Sequence, residues 1–331
     1  MLHRDKTVTD PCPVLKENPH ITPITPTAPM KADTHGGRAK CLQRLVRMDL
    51  PVPPTVALSF DTVHGIASGH MPDMAAILAE FPEGALLCVR PSSEDPDWGG
   101  PGAILNIGMN DARFAEMCET LGEDAAAALY ARFIEAYALH VARLDPDMFD
   151  EITSDGAEAL AEALRAYEAE AEEPFPQEPE VQLRQVLRSM ARAWEGTTAR
   201  LLRQAKGAPI DAGLGLVVQE MALGIGSRQI TGRYLSQSQG RDALTGGAEA
   251  LYLQRDPRGP SLEEEAPEAF AEIVEIARQM RRKLRAEMQI EFTIQGGRVH
   301  VLDGVRVPRS NRAAVRIAVA LAEDKIIPRE E

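Results

Sequence analysis

Residues 288–302 read MQIEFTIQGGRVHVL, and this stretch decides the fold class. Apolar and polar residues alternate on both sides of Gly296-Gly297, which is the pattern of two half-buried β-strands. A pair of glycines between two such runs favours a tight turn, so the sequence predicts an antiparallel hairpin. Outside the hairpin, helix and strand patterns follow one another in no regular β-α-β order. The fold class is therefore predicted to be α+β.

Beyond the hairpin, most of the chain shows apolar residues at helical spacing. Helices are predicted at residues 37–48, 59–81, 111–121, 123–142, 157–172, 181–206, 264–287 and 312–323. Short apolar runs predict buried strands at residues 84–90 and 215–221. Residues 173–180, which read EPFPQEPE, form the strongest internal break. Residues 1–34 contain six prolines and no periodic pattern, which predicts a flexible N-terminal arm.

The chain is acidic, because 36 basic and 50 acidic side chains give a net charge of −14 at pH 7. Binding to duplex DNA depends on positive charges that neutralise phosphates, so we expect no nucleic-acid partner. Residues 1–10 contain no apolar core of a signal peptide, and no run of about 18 apolar residues follows them. The sequence therefore predicts neither secretion nor a membrane span.

The four cysteines, Cys12, Cys41, Cys88 and Cys118, are scattered and form no C-x-x-C pair. Their spacing is typical of reduced thiols, which predicts a cytoplasmic protein. The seven histidines form no H-E-x-x-H pair, which disfavours a metal site built from His or Cys. A magnesium ion held by carboxylates and phosphates stays compatible with the sequence, because Mg²⁺ needs few protein ligands.

Gly36-Gly37-Arg38 opens the first predicted helix and is a candidate phosphate site. Glycines let a backbone approach a ligand closely, and the free N–H groups of a helix N-terminus attract anions. Arg38 adds a fixed positive charge. An ordinary loop-to-helix turn accounts for the same three residues, so both interpretations stay open.

Arg90 and Glu291 are charged residues placed in predicted strands. A buried arginine is costly unless it is paired, so Arg90 either contacts a ligand or forms half of a structural ion pair. Glu291 either holds Mg²⁺ against the phosphates of a nucleotide or faces solvent in the alternating pattern of its strand. The residues alone do not decide between these alternatives.

Nine short motifs occur in an order that points to a known family. They are GGRAK (36–40), LPVPP (50–54), VRPSS (89–93), ILNIGMND (104–111), YARFI (130–134), VQEM (218–221), SQGRD (238–242), IEFTI (290–294) and AAVRIAV (313–319). Together they resemble the N-terminal nucleotide-binding region of pyruvate phosphate dikinase, and they cover most of the chain from about residue 36 onward.

The resemblance implies an ATP-grasp-like nucleotide-binding fold with a helical insertion. It implies a first lobe at residues 35–175, which includes the helical segment, and a second lobe at residues 176–331. In the family this region binds Mg-ATP and passes a phosphoryl group to a histidine on a separate domain. The expected function is therefore that of a stand-alone phosphotransferase domain, whose partners are the nucleotide and a domain or chain that carries this histidine.

By the same resemblance, five residues are expected to form the site. Arg38, Arg90 and Gln219 are predicted to bind ATP, and Glu291 and Asp303 are predicted to bind Mg²⁺. Phosphoryl transfer of this kind works through positioning and charge stabilisation, which arginines and a carboxylate-held metal supply.

The sequence also departs from the family pattern in ways that favour a second interpretation. Arg38 stands where the family has lysine, Asp303 stands where it has glutamine, and Val305 stands where it has an arginine. Residues 222–233 are too few for a strand and loop that help to enclose the nucleotide. The sequence shows neither the family's histidine segment nor its barrel domain, so this chain is not expected to complete the dikinase reaction alone. The alternative is a degenerate, non-catalytic ATP-grasp protein that acts as a binding or regulatory partner.

Overall fold

The computed structural model describes residues 20–223, 225–227, 233–235, 251–255, 257, 259–306 and 311–329. Within these residues the strands form two five-stranded sheets, and every named strand pair is antiparallel. The mixture of helices with antiparallel sheets confirms the predicted α+β class. The SQGRD motif at residues 238–242 lies outside the described residues.

The first sheet has the strand order β1-β2-β5-β3-β4. Its strands are β1 (Thr22–Pro23), β2 (Thr55–Leu58), β3 (Leu87–Ser93), β4 (Ile104–Ile107) and β5 (Leu214–Glu220). The second sheet has the order β10-β9-β6-β7-β8. Its strands are β6 (Ile225–Ser227), β7 (Arg233–Leu235), β8 (Leu251–Tyr252), β9 (Met288–Gln295) and β10 (Arg298–Arg306). Strands β9 and β10 are the predicted hairpin, which pairs over its full length around Gly296-Gly297.

Helices make up most of the rest of the described chain. They are α1 (Ala32–Val46), α2 (Phe60–Ala67), α3 (Met74–Leu78), α4 (Asp111–Leu121), α5 (Glu123–Tyr137), α6 (Gly156–Ala171), α7 (Pro179–Glu195), α8 (Thr197–Ala205), α9 (Leu262–Glu265), α10 (Pro267–Leu284) and α11 (Asn311–Glu323). A π-helical turn (Ala138–Ala142) extends α5, and two short 3₁₀ turns cover Pro96–Trp98 and Pro146–Phe149. None of the helices in the described ranges is long and apolar enough to cross a bilayer.

Two predicted helices are each divided in the structure. The helix predicted at residues 59–81 begins as expected, because Ser59 caps α2 by accepting a hydrogen bond from Thr62 N at 3.2 Å. It then ends at Ala67, because Gly69 adopts a φ of +99° and the backbone N–H of His70 donates to the carbonyl oxygen of Gly65 at 2.8 Å, and α3 follows as a separate helix. The helix predicted at residues 181–206 is interrupted at Gly196, whose ψ of 140° is extended rather than helical.

Two hydrophobic cores lie on either side of the first sheet. The first core packs that sheet against helices α2 to α7 and is rich in aromatic side chains, such as Tyr130, Phe133 and Phe175. The second core packs α1 and α10 against the hairpin and against Ala57 and Val217 of the first sheet. The first sheet therefore contributes one face to each core, and α1 lies beside both β3 and β10.

The predicted division of the chain differs from the packing in two places. Residues 20–34 belong to the predicted flexible arm, yet β1 pairs with β2 and Ile21, Ile24 and Met30 are buried. Residues 1–19 lie outside the described residues. The predicted lobe boundary at residue 176 comes before α7 and β5, but α7 packs in the first core and β5 lies between β2 and β3 in the first sheet.

Candidate functional site

The glycine pair lies at a kink inside α1, where Gly36 is not helical, and it packs against the end of strand β3. Gly36 has a φ of +87°, and a Cβ atom at this position would lie 1.8 Å from the backbone oxygen of Ser92. A Cβ at Gly37 would lie 2.9 Å from the backbone oxygen of Glu94. The glycines therefore allow the helix to approach the protein's own backbone, which supports a structural role, one of the two interpretations that the sequence leaves open.

Ser92 fixes this contact through its hydroxyl group. The hydroxyl donates a hydrogen bond to the carbonyl oxygen of His35 at 2.8 Å and accepts one from the backbone N–H of Ala39 at 3.1 Å. Ala39 lies in the first regular turn after Gly36, where N–H groups have no partner within the helix. Ser92 thus fills part of the anion-binding end of the helix and sets the position of Arg38, the residue before Ala39.

Four of the five predicted site residues meet in one cluster, which we call the arginine–carboxylate cluster: Arg38, Arg90, Glu291 and Asp303. Arg38 Nε donates to Asp303 Oδ2 at 2.7 Å. Arg90 Nη2 donates to Glu291 Oε2 and lies 3.6 Å from Asp303 Oδ2. Because Arg38 comes from α1, Arg90 from β3 and the carboxylates from the hairpin, the cluster joins the two sheets.

Backbone carbonyl groups bind the remaining sides of both guanidinium groups. Arg38 Nη1 donates to the carbonyl oxygen of Pro91. Arg90 Nη1 donates to the carbonyl oxygen of Leu302 at 2.8 Å. Each arginine therefore donates hydrogen bonds to one carboxylate and one carbonyl group, and these two bonds fix the plane of its guanidinium group.

A β-bulge in β10 places the two carboxylates side by side. Val301 lies opposite Phe292, but Asp303 rather than Leu302 lies opposite Glu291, so the register shifts by one residue between Val301 and Asp303. Residues directly opposite each other on an antiparallel pair point to the same side of the sheet. Such bulges re-aim side chains and are common next to functional sites. Without this bulge, Asp303 would lie on the opposite face from Glu291.

The charges of the cluster stabilise one another. Burial would raise the pKa of Asp303, but Arg38 and Arg90 outweigh burial and hold the pKa of this carboxyl below its ordinary value. Burial would likewise lower the pKa of Arg90, but Glu291 and Asp303 outweigh it and raise the pKa of the guanidinium group. Asp303 and Arg90 are therefore both charged at neutral pH.

The cluster has a buried side and an accessible side. The side chains of Arg90 and Asp303 are only 9% and 6% exposed, whereas those of Arg38 and Glu291 are 24% and 28% exposed. A ligand that enters the cluster from solvent would therefore meet one arginine and one carboxylate first, and Arg90 and Asp303 would lie behind them.

Gln219, the fifth predicted residue, lies on the same face of the first sheet but outside the cluster. It is 1% exposed, and its Nε2 donates to Thr55 Oγ1 at 3.1 Å. Gln219 lies opposite Cys88, while Arg90 lies opposite Val217, so Gln219 and Arg90 come from adjacent strands and share a face. The structure thus places Gln219 in the sheet wall next to the cluster.

Two thiols flank the cluster and are neutral. Burial is the largest influence on both, and it raises the pKa of Cys41 to about 12 and that of Cys88 to about 11. Cys41 Sγ also donates to the carbonyl oxygen of Gly304 at 2.6 Å. Neither thiol is a nucleophile or a metal ligand in this state, because both roles require the thiolate.

The two predicted magnesium ligands are already hydrogen-bonded. Asp303 accepts from Gly304 N through Oδ1, at 2.8 Å, and from Arg38 through Oδ2. No group of three or more His, Cys, Asp and Glu side chains that could hold a metal ion occurs in the described part of the chain. The carboxylate oxygens are of the kind that Mg²⁺ prefers, but arginine binds both side chains here, so a metal would reach them only by displacing arginine.

Sequence reasoning missed three participants, namely the Ser92 hydroxyl and the carbonyl groups of Pro91 and Leu302. Ser92 belongs to the VRPSS motif that contains Arg90, so its position two residues after Arg90 could have indicated a place beside the site. Carbonyl groups carry no residue-specific signal. Val305, which stands where the resemblance expects an arginine, is 37% exposed and lies opposite Gln289.

Comparison with known proteins supports the motif-based resemblance. The chain is 27% identical to the pyruvate, phosphate dikinase of Rhizobium meliloti over an alignment that covers 90% of this chain and 40% of that protein. It is 28% identical to the enzyme of the same name from Clostridium symbiosum, over 74% of this chain and 32% of that protein. This chain resembles part of a pyruvate, phosphate dikinase.

The similarity extends to plants and is partial in every case. Pyruvate, phosphate dikinase 2 of Oryza sativa subsp. japonica is 24% identical over 90% of this chain and 39% of that protein. Across these three relatives the chain thus spans 32% to 40% of the length of the protein it matches. No family model matches the sequence.

The contact between Gly36 and Ser92 predicts that Gly36→Ala is strongly destabilising. Gly69 is a matched control, because its φ of +99° is equally unfavourable for alanine but a Cβ there would meet no atom within 4 Å. We expect Gly69→Ala to cost about 1 kcal/mol of unfolding free energy, from backbone strain alone. Gly36→Ala should cost about 3 kcal/mol or more, because the clash adds to the strain. Urea unfolding measures the free energy of unfolding of both variants. An equal loss in Gly36→Ala and Gly69→Ala would contradict the contact between Gly36 and Ser92.

The lowered pKa of Asp303 predicts an acid-dependent contribution to stability. The pKa in the folded state lies below the ordinary value of 3.8, so the contribution is fully present above that value and is lost as pH falls through the folded-state pKa. We expect Asp303→Asn to cost about 3 kcal/mol at pH 7, because it leaves two arginines without their shared carboxylate. The difference from the unmodified protein should shrink below about pH 4.

Urea unfolding at several pH values measures this effect, with Glu116→Gln as the control. Glu116 pairs with Arg113 at the surface, and its side chain is 65% exposed. Its replacement should change stability by less than about 1 kcal/mol at any pH. An effect of Asp303→Asn that matched this control would show that the cluster does not stabilise the fold.

Proposed function

We propose that this chain binds Mg-ATP and that the arginine–carboxylate cluster receives its phosphate groups. The observation that carries the proposal is the convergence of Arg38 and Arg90, from two different elements, on one partly exposed point between the sheets. Planar guanidinium groups bind phosphate oxygens in the same two-pronged way as they bind carboxylates. The similarity to pyruvate, phosphate dikinases supports nucleotide binding by this part of the chain.

Binding requires the cluster to exchange partners. In the structure Arg38 and Arg90 carry two positive charges and Glu291 and Asp303 carry two negative charges, so the cluster is neutral before any ligand enters. A triphosphate would compete with the two carboxylates for the arginines. The carboxylates released in this way would be free to bind a cation, and Mg²⁺ prefers carboxylate and phosphate oxygens. The nucleotide and the metal ion would thus bind together.

In this proposal each predicted site residue has a distinct task. Arg38 and Arg90 would bind phosphate oxygens, and Glu291 and Asp303 would hold Mg²⁺, which would supply charge neutralisation at the phosphates. Gln219 offers a buried amide in the wall of the same sheet face and would bind the nucleotide beyond the phosphates. The partly exposed Arg38 and Glu291 form the entrance.

We further propose that the bound nucleotide serves a phosphotransferase reaction. The curated relatives are named dikinases, and this chain spans 32% to 40% of the length of those compared above. The phosphoryl acceptor would be a histidine on a separate domain or chain. The competing proposal is a non-catalytic ATP-grasp-like protein, in which the neutral cluster serves only to hold the two sheets together.

Calorimetric titration with a non-hydrolysable ATP analogue, with and without Mg²⁺, tests the proposal. Arg38→Ala is the informative variant, because Arg38 is accessible and its loss leaves the Arg90–Glu291 pair in place. We expect it to weaken binding at least tenfold, since a charge-assisted hydrogen bond contributes about 1.5–3 kcal/mol. Glu291→Gln should reduce the dependence of binding on Mg²⁺. No heat at millimolar analogue would contradict nucleotide binding.

Arg184→Ala is the control for these titrations. Arg184 is an exposed arginine on α7 that pairs only weakly with Glu180, at 4.0 Å, so its loss removes the same charge at a distance from the cluster. Its affinity for the analogue should equal that of the unmodified chain. Equal weakening by Arg38→Ala and Arg184→Ala would mean that net charge alone, and not the cluster, attracts the nucleotide.

A further inference from the structure

A cavity lies in the helical part of the chain, between the π-helical turn, α6 and α7. Its volume is about 450 Å³, within the usual range for sites that bind small molecules. The rings of Tyr137 and Tyr167 line it, and both residues are only 1% exposed. Val141 and Leu144 add apolar surface. The cavity therefore combines apolar and polar surface in similar amounts.

Arginines dominate the charged rim of this cavity. Arg143, Arg188 and Arg192 line it together with a single acidic residue, Glu173, which leaves a net charge of +2 at this place in a chain of net charge −14. None of the three arginines forms an ion pair within 4.0 Å with any residue that the structure describes. Three neighbouring positive charges repel one another, and a bound anion would remove this repulsion.

The backbone at the cavity is held in an uncommon conformation. The π-helical turn Ala138–Ala142 ends at Arg143, which has a φ of +65°, in the left-handed region that residues with large side chains rarely adopt. Ser189 Oγ donates to the carbonyl oxygen of His140 at 2.5 Å and fixes this turn against α7. Single π-helical turns and strained residues occur often at functional sites. The turn directs Arg143 to the rim.

The hydroxyl group of Tyr137 supplies an independent observation. It is buried, and it has no hydrogen-bond partner among the described residues. Burying a hydroxyl without a partner is costly, and each such group needs an explanation. Burial raises the pKa of Tyr137, so the hydroxyl is protonated and able to donate. An acceptor oxygen that reached it from the cavity, after a movement of the side chains that cover it, would satisfy it.

We propose that this cavity binds a phosphate monoester that carries a small apolar body. A phosphate monoester presents three acceptor oxygens and nearly two negative charges at neutral pH, which matches three guanidinium groups and a net charge of +2. The tyrosine rings and aliphatic side chains would hold the apolar body. A monocarboxylate offers only two oxygens and one charge. The inference does not depend on the proposed nucleotide function, because it uses no residue of the arginine–carboxylate cluster.

Calorimetric titration of the full chain with phenyl phosphate at pH 7.5 and low salt tests this inference. Phenyl phosphate combines the dianion with an apolar ring, and benzoate provides the same ring with one carboxylate. We expect saturable binding of phenyl phosphate and at least tenfold weaker binding of benzoate. Arg188→Ala and Arg192→Ala should each weaken the binding of phenyl phosphate about tenfold.

Two further variants separate a site from general charge attraction and from folding effects. Arg184→Ala removes an arginine from the same helix outside this cavity and should leave the affinity unchanged. Tyr137→Phe should weaken binding several-fold without lowering the melting temperature, because the hydroxyl has no partner within the described residues to lose.

Three results would overturn the inference. They are the absence of heat at millimolar phenyl phosphate, equal weakening by Arg184→Ala and Arg188→Ala, and loss of binding in Arg38→Ala. The last result would place the phenyl phosphate in the arginine–carboxylate cluster instead of this cavity.

Discussion

The interaction on which the structure depends is the pairing of Arg90 with Glu291 and Asp303 across the two sheets. Arg90 extends from β3 at the boundary between the two cores, where an unpaired charge would be very costly. The hairpin strands β9 and β10 bring both carboxylates to it, and Arg38 from α1 completes the set. This pairing couples the position of the second sheet to that of the first, so any event that opens the cluster would also loosen the contact between the sheets.

That coupling links stability to function in a testable way. A neutral cluster of two arginines and two carboxylates is satisfied without a ligand, and its members are the same groups that a Mg-nucleotide needs. Binding would replace carboxylate–arginine pairs with phosphate–arginine and carboxylate–metal pairs. The partly exposed Arg38 and Glu291 are where this exchange would begin. The cavity in the helical part is lined by a separate set of arginines.

The sequence predicted much of this arrangement because its strongest signals were local. Alternation around Gly296-Gly297 predicted the hairpin, and the family resemblance predicted a site made of Arg38, Arg90, Glu291 and Asp303. The structure brings these four side chains together, and their binding roles stay predictions. Both alternatives for Arg90 had been open, and the structure shows the ion pair. Whether Arg90 also contacts a ligand stays a prediction.

What the sequence could not predict depends on contacts between distant residues. No residue pattern marks the bulge before Asp303, which arises where the pairing with Glu291 changes register. The contact of Gly36 with Ser92 joins segments 56 positions apart, so the sequence alone left open whether the glycines approach a ligand or form an ordinary turn. Residues 20–34 looked flexible from their prolines, but pairing of β1 with β2 and burial of Ile21 override that local signal.

The central claim is that the arginines of the cluster exchange carboxylate for phosphate. A crystal structure of the chain with a non-hydrolysable ATP analogue and Mg²⁺ tests it most directly. The account predicts that phosphate oxygens contact Arg38 and Arg90 and that Glu291 and Asp303 contact the metal. A nucleotide bound elsewhere, with the Arg38–Asp303 and Arg90–Glu291 pairs unchanged, would contradict the account and leave the cluster a purely structural link between the sheets.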